Sequence, residues 1–422
     1  MRLCVSFPVG FLLMIDPTPH LERFDSYEQA CREFRWQIPD QFNIASAISR
    51  RHKDSITRIA LSHVRPGGIN TYTFGGLDFL SDKLASLLAQ SGVRHGDAVA
   101  VIAPQSAALL VAHFGILKLG AIVVPLSPSL PPAELQRALS ECQPKAILAG
   151  DFWRELNYAS SDFTAAETSS DSPAFIFFMP GPDGDLTGVI HSHGSLIGQL
   201  TAFEMLNGFS LDDARVFWTA SDWVSPQVLL GLLYPALWYG CSLVSDESTN
   251  LSANDPFALM SRCEVTDAFI PSVMMIHLNH TPGAPLDEFG LKLRRILTTP
   301  DQLSQERWER AASSLGARLN IAYGTPETGL IAGSCEQWPA AGLMASVRAA
   351  PGHSIEIMDE QGRERIAGQP GRVALHRPDP ALFLRYLNDS EATRSAFAGE
   401  WFITRDAGNK KEDGDLYITP SS

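Results

Sequence analysis

The sequence predicts a layered α/β fold, a large domain built on a parallel sheet and followed by a small β-rich subdomain. Three observations carry this. First, two apolar runs, AVAVI after Asp97 and AIVVP after Gly120, flank an apolar helix spanning Gln105 to Leu119. Such a strand–helix–strand unit crosses over right-handed and sets its strands parallel. Second, Ala174–Met179 is a short continuous apolar run, the pattern of a buried strand, Lys145–Ala149 reads as another buried strand, and Val265–Pro271 continues the sheet as a strand ending in proline. Third, from Ala349 to Tyr417 the chain changes to short alternating strands. Their turns fall at Pro351-Gly352, Asp359–Gly362 and Gln369–Gly371.

Composition bounds the class. With 422 residues, 45% hydrophobic and 19% charged, the chain suits a large soluble globular protein of two or three packed units. Its 33 basic and 47 acidic residues give −14, which disfavours a nucleic-acid partner held on a basic face. Six cysteines, at 4, 31, 142, 241, 263 and 335, show no CxxC or His-paired spacing. Reduced thiols in a cytoplasmic protein, without a zinc site, are the expectation. Arg2 followed by an apolar run imitates a secretory signal, but no cleavage site follows, so the segment is read as non-targeting. No membrane span is expected, since the apolar run Val228–Leu237 is short and contains Gly231 and Pro235.

In chain order, aromatic residues surround Pro39 in FRWQIPDQFNIA, and IASAISRRHKD then opens a helix. Tyr72-Thr73-Phe74 precedes a second helix with Leu77, Leu80, Leu84, Leu87 and Leu88 on one face and Gly92 as its stop. Pro131–Leu139 starts another. Asn157–Ser172, rich in Ser, Thr, Asp and Ala, reads as a mobile surface loop. The segment with Trp218, Trp223, Tyr234, Trp238 and Tyr239 supplies core aromatics, and Val273–Leu278 reads as helix. The resulting division is 1–172, 173–340 and 341–422.

The stretch that bears most on function is Pro173–His193. After the apolar strand, Pro180–Gly188 reads as a loop in which Gly181, Gly184 and Gly188 let backbone amides approach a ligand closely. A phosphate-cradling loop normally adds hydroxyls and a cation. Here Asp183 and Asp185 bring negative charge, and Pro180 and Pro182 each lack an amide donor. An ordinary glycine-rich turn is the alternative reading.

The frame of this stretch resembles the motif YTSGTTGxPKGxxHxH of adenylate-forming enzymes, the superfamily of acyl-CoA synthetases, adenylation domains and luciferases. Gly181, Gly184, Gly188, His191 and His193 match it. Met179, Pro180, Pro182 and Asp183 stand at its hydroxyl positions and Thr187 at its lysine. FRWQIPDQFNIA is similar to a W-x-x-P-x-x-[FW]-N-x-A pattern of short- and medium-chain acyl-CoA synthetases. Asp222-Trp223 resembles an ADW tripeptide, which implies an acyl-pocket role for Asp222 and Trp223. LRRILTTPD stands where the family has a small-Gly-Gly-Glu loop against adenine, with Thr299 and Pro300 replacing glycines. In AYGTPETG, Tyr323, Gly324 and Glu327 match YGxTE, so the resemblance implies that Tyr323 stacks on adenine and Glu327 holds magnesium. Pro326 replaces the phosphate-binding threonine. Asp406 matches the acid that binds the ribose hydroxyls, beside Arg405 where the family has glycine.

The resemblance thus implies the large domain of an acyl-CoA synthetase. The family's hinge would begin near Pro420, so the mobile C-terminal domain with its adenylation lysine is expected to be absent. ATP or AMP and Mg²⁺ are the cofactors it implies, and a carboxylic acid, an acyl group or acyl-CoA the small-molecule partner. Because the phosphate ligands are replaced, the preferred expectation is a degenerate, binding or regulatory homologue. The alternative is a stand-alone enzyme with residual ligase or acyl-transfer chemistry. No catalytic nucleophile is evident, and a protein partner or a homo-oligomer is left open.

Overall fold

The computed structural model describes residues 19–52, 57–150, 152–180, 185–209, 211, 214–246, 255–272, 274–275, 285–300, 305–339 and 346–421. The expectation about a leader segment falls in residues 1–18, outside the described residues.

Along the chain, α1 (Tyr27–Glu33) and α2 (Ile44–His52) precede the hairpin β1 (Ile59–Arg65) and β2 (Gly68–Thr73). Helix α3 (Phe74–Gln90) starts at Thr73, whose hydroxyl accepts the Gly76 amide. Its Leu77, Leu84 and Leu88 are buried, as the 3.6-residue spacing requires. Then come β3 (Ala98–Ile102), α4 (Ala107–Lys118), β4 (Ile122–Leu126), α5 (Pro132–Cys142), β5 (Ala146–Ala149), the single turn α6 (Trp153–Leu156), β6 (Pro173–Pro180), β7 (Leu186–Ser192) and α7 (Ser195–Asn207). The pair β3–β4 is parallel with α4 as its crossover, as expected.

The second half supplies β8 (Val216–Thr219), β9 (Ser242–Asp246), β10 (Asp267–Phe269), β11 (Arg295–Thr298), β12 (Arg318–Tyr323) and β13 (Ala332–Gly333). It continues with β14 (Ser346–Ala349), β15 (Ile355–Met358), β16 (Gly371–His376), β17 (Arg385–Tyr386), β18 (Phe397–Ala398), β19 (Trp401–Lys410) and β20 (Leu416–Thr419). The helix expected at Val273–Leu278 lies largely outside the described residues.

Among the described residues these strands form two sheets. A six-stranded one runs β17-β7-β6-β4-β3-β5. In the larger one the path is β15-β16-β19-β20-β14-β13-β12-β11-β10-β8-β9-β1-β2, parallel from β12 to β1 and antiparallel toward β15. The small β-rich part therefore extends the large sheet through β13 and β14. Sheet membership also cuts across the expected division at 172/173: β6 and β7 complete the first sheet, while β1 and β2 edge the second.

Helices fill the space between the sheets. Val99, Val101, Val123, Phe175 and Phe177 face this core from one sheet, and Phe217, Leu243, Phe269 and Leu297 face it from the other. Their strand neighbours point outward into separate clusters, Ala100, Val124, Ile176 and Phe178 on one side and Trp218, Val244, Ala268 and Ile296 on the other. Alternation with both faces covered explains why these strands read as unbroken apolar runs. Helix α7 runs through the middle and is buried on every side.

Two expectations are corrected. The strand at 145–149 is not buried: β5 is an edge strand that pairs only with β3 among the described residues, and its Ile147 is 50% exposed. Nor is Asn157–Ser172 free along its length. Its end is tied down by bonds from Ala166 N to Lys118 O, Phe42 N to Thr168 O and Ser170 N to Asp40 O, satisfying backbone groups that burial would otherwise orphan.

Candidate functional site

The ends of β11 and β12 open on a cavity of about 400 Å³. Met179 from β6, Val228, Phe269, Thr299, Pro300, Leu330, Tyr323, Gly324 and Asp406 line it, with Ser221, Ser225 and Gln227 as polar members. Parallel strands end here together, the usual place for a ligand crevice in such sheets. Thr299 and Pro300 put side-chain atoms where a glycine pair would leave the backbone open.

Tyr323 ends β12, buried, with its hydroxyl donating to Asp406 Oδ2 at 2.9 Å. The other carboxylate oxygen accepts from Ser421 N at 2.7 Å and Ser421 Oγ at 3.1 Å. Burial, then the Asp406 charge, push the Tyr323 phenol well above its ordinary pKa, so it stays a neutral donor. Asp406 is thus engaged on both oxygens by the protein itself.

The loop after Tyr323 turns back very tightly. A Cβ on Gly324 would lie 1.5 Å from Gly329 O, and Gly329 itself has φ +62°. Gln199 from α7 holds the turn, donating to Thr328 O at 2.9 Å and accepting from Leu330 N at 2.6 Å. Glu327 projects away from the cavity. Its Oε1 accepts the Tyr386 hydroxyl at 2.7 Å, and its carbonyl accepts the Phe383 amide at 2.7 Å. The half-buried carboxylate is thereby bonded to the 383–386 segment, which also pairs with β7.

His191 Nε2 donates to Pro326 O at 2.8 Å, and burial pushes its imidazole down to about 4. His193 accepts the Ile44 amide on Nδ1 at 3.2 Å and is driven down to about 3, first by burial and then by His95. Both rings are neutral structural partners at ordinary pH.

Of the residues singled out in the sequence, Tyr323, Gly324 and Asp406 come together in one cavity wall. Gly181 and Gly184 lie outside the described residues. Gly188 is not in a loop: β7 already begins at Leu186, and a Cβ on Gly188 would sit 2.8 Å from the Leu387 Cβ. Its small size serves packing between β7 and the 383–387 segment. Asp222 is exposed and accepts the Ser127 hydroxyl at 2.8 Å. Trp223 is 1% exposed and packs into the main core, so neither lines the cavity. Asp185 pairs with Arg137 at 2.6 Å on the surface. Gln199 and Tyr386 escaped sequence reasoning. Gln199 sits in a helix buried on every side that carries no motif, and the Tyr386 bond to Glu327 spans 59 residues.

The implied nucleotide and metal can be tested against these residues. Magnesium in a nucleotide site takes one or two carboxylates and lets phosphates supply further oxygens. Here Glu327 is bonded to Tyr386, and no group of three or more His, Cys, Asp or Glu among the described residues could hold a metal ion. No Lys, Arg or His among them lines the cavity to meet phosphate charge. Among the described residues, the cavity wall therefore offers the charge of a triphosphate no cation. No described helix is long and apolar enough to cross a membrane.

Comparison with known proteins places the chain. An uncharacterised acyl-CoA ligase of Bacillus subtilis is 23% identical over 428 residues, covering 90% of this chain and 76% of that protein. A mitochondrial acyl-coenzyme A synthetase of Mus musculus is 24% identical over 475 residues, covering 100% of this chain and 79% of its own length. The crystal structure of a Brucella canis acyl-CoA synthetase superposes with a TM-score of 0.85 at 19% identity, over 94% of this chain and 80% of that one, and so shares the fold. The family model described as AMP-binding enzyme matches residues 48–387, most of the sequence. With the fold, the strand ends and the tyrosine-bearing loop agreeing, the chain belongs to the AMP-binding enzyme family.

Proposed function

We propose that this chain is an acyl-CoA synthetase-like protein that binds the acyl part of a carboxylic acid or acyl-CoA in the cavity beside Tyr323. It does so without turning over ATP at the pace of a ligase. The observation that carries this reading is the cavity wall, whose one charged residue among those described is the acid Asp406. A triphosphate at that place would meet negative charge and find no cation among the described lining residues.

Forming an acyl-adenylate needs that charge neutralised as the carboxylate attacks. Each missing electrostatic contact costs about 3 kcal/mol, on the order of a hundredfold or more in rate. Met179, Thr187 and Pro326 stand at three such positions, so the losses multiply. The apolar part of the wall, Met179, Val228, Phe269, Pro300 and Leu330, favours an apolar guest instead. A cytoplasmic pseudoenzyme in fatty-acid metabolism, with a binding or regulatory role, belongs to the same proposal.

Pyrophosphate release with a panel of short and medium carboxylic acids tests the catalytic half. The expected result is release at buffer background, and turnover of about 1 per second or faster, ordinary for an enzyme, overturns it. Titration calorimetry with acyl-CoA, ATP and AMP tests the binding half. Acyl-CoA is expected to bind with a negative heat-capacity change, the mark of apolar burial. No heat with any acyl ligand refutes it.

A further inference from the structure

A second cavity, of about 490 Å³, lies away from Tyr323, between the N-terminal helix α1 and the antiparallel end of the large sheet. Tyr27, Phe34 and Trp36 form its aromatic side, Arg35 and Lys410 its cationic side, and His353 part of its floor. Its size is that of a small-molecule site. Phe34 and Trp36 meet edge to face at 4.8 Å, and the Trp36 ring lies 5.3 Å from that of His353. Trp36 is fixed by its Nε1–H donating to Gly352 O at 3.0 Å.

Two groups in this wall have unused capacity. Arg35 donates to the carbonyls of Arg32 and Phe34 but makes no ion pair among the described residues. Lys410, by contrast, is paired with Glu356 at 2.5 Å, which leaves Arg35 as the cation of this wall without an ion pair among the described residues. The His353 side chain is fully buried, with Nδ1 bonded to Asp379 Oδ2 at 2.8 Å and Nε2 without a partner among the described residues. Nδ1–H donates to the carboxylate, and in the neutral ring this tautomer makes Nε2 an acceptor. A buried acceptor without a donor is costly, and in native proteins it calls for a partner.

We propose that this pocket binds a planar aromatic monoanion that also carries a hydrogen-bond donor, a hydroxyaryl carboxylate in chemical class. The carboxylate answers the Arg35 guanidinium, the ring packs against Phe34 and Trp36, and the hydroxyl donates to His353 Nε2. The site is separate from the Tyr323 cavity, and none of the lining residues is shared.

Cys31 also lines this pocket and is exposed, which provides a readout confined to it. The full chain is treated with iodoacetamide, and labelling of each cysteine is followed by peptide mass spectrometry with 4-hydroxybenzoate as the probe. Labelling of Cys31 is expected to slow, while that of Cys263, in another part of the fold, is unchanged. Neutral 4-hydroxybenzamide and non-planar cyclohexanecarboxylate should shield about tenfold less well at equal concentration, the factor one charge-assisted hydrogen bond or one ring face supplies. Arg35→Gln, a substitution at an exposed position, should abolish the shielding. The proposal is overturned if 4-hydroxybenzoate leaves Cys31 labelling unchanged, if the amide shields equally well, or if R35Q is shielded like the native chain. Should R35Q not fold, the acid-against-amide comparison on the native chain decides alone.

Discussion

Replacing Gln199 with leucine isolates what holds the Tyr323 loop. Gln199 is 1% exposed, and its amide meets Thr328 O and Leu330 N, two backbone groups in a buried turn. Leucine is nearly the same size, so little cavity forms and the packing of α7 is kept. The carbonyl and the amide lose their partner where water cannot replace it. Each orphaned buried group costs about 1–3 kcal/mol, and apolar burial of the leucine returns roughly 1 kcal/mol. The net is about 3 kcal/mol, a factor of order 100 in the local opening equilibrium. Hydrogen exchange read by mass spectrometry on a peptide spanning 323–331 is the assay, because it reports opening of this turn rather than of the whole chain. Protection there should fall by about two powers of ten, with peptides from β3 and β4 unaffected. A change below about threefold would mean that the turn is held by its own backbone, and the role given to Gln199 would be wrong.

Two more outcomes are expected. His113, His191 and His193 are held by burial at about 3, 4 and 3, below their ordinary value, so the unfolded chain binds more protons. Their contribution to stability is therefore full above about pH 6.5 and is lost as the pH falls toward the folded values. The urea midpoint should be flat from neutral upward and drop between about pH 6.5 and 5, before most carboxylates titrate; a midpoint rising on acidification contradicts this. Gly324→Ala would force a Cβ to 1.5 Å from Gly329 O, whereas Gly67 has nothing within 4 Å. G324A should lose several kcal/mol and most of its soluble yield, of the order seen for severe overpacking, while G67A changes the melting temperature by no more than a degree or two.

How much of this was legible in the sequence follows from the range of the forces. The strands β3, β4 and β6 and helices α3 and α4 were readable because burial on both faces, or on one stripe, writes itself as local apolar periodicity. The edge position of β5 was not, since Ala146–Ala149 is as apolar as an interior strand and only pairing distinguishes them. Tyr323 and Asp406 were marked by motif and do meet, 83 residues apart. Trp223 was marked as well, yet its surroundings bury it, because a motif fixes sequence and not the neighbours that close over a ring. The bonds from Gln199 and Tyr386 join residues 131 and 59 positions away, beyond any local pattern.

The way the two sheets share the chain sets the order in which the protein can be made. The six-stranded sheet waits for Arg385 and Tyr386 to cover β7, and the larger sheet needs β1 and β2, made among the first 73 residues, to lie against β9, which leaves the ribosome some 170 residues later. During synthesis the hairpin Ile59–Thr73 therefore stands with one edge bare until Ser242–Asp246 emerges. Contacts this distant in sequence form slowly and leave sticky strand edges in the interval. Split the gene at residue 172, and neither fragment holds a complete sheet: each carries strands whose partners are encoded in the other. The two halves should consequently be insoluble when expressed apart and recover only when produced together in one cell.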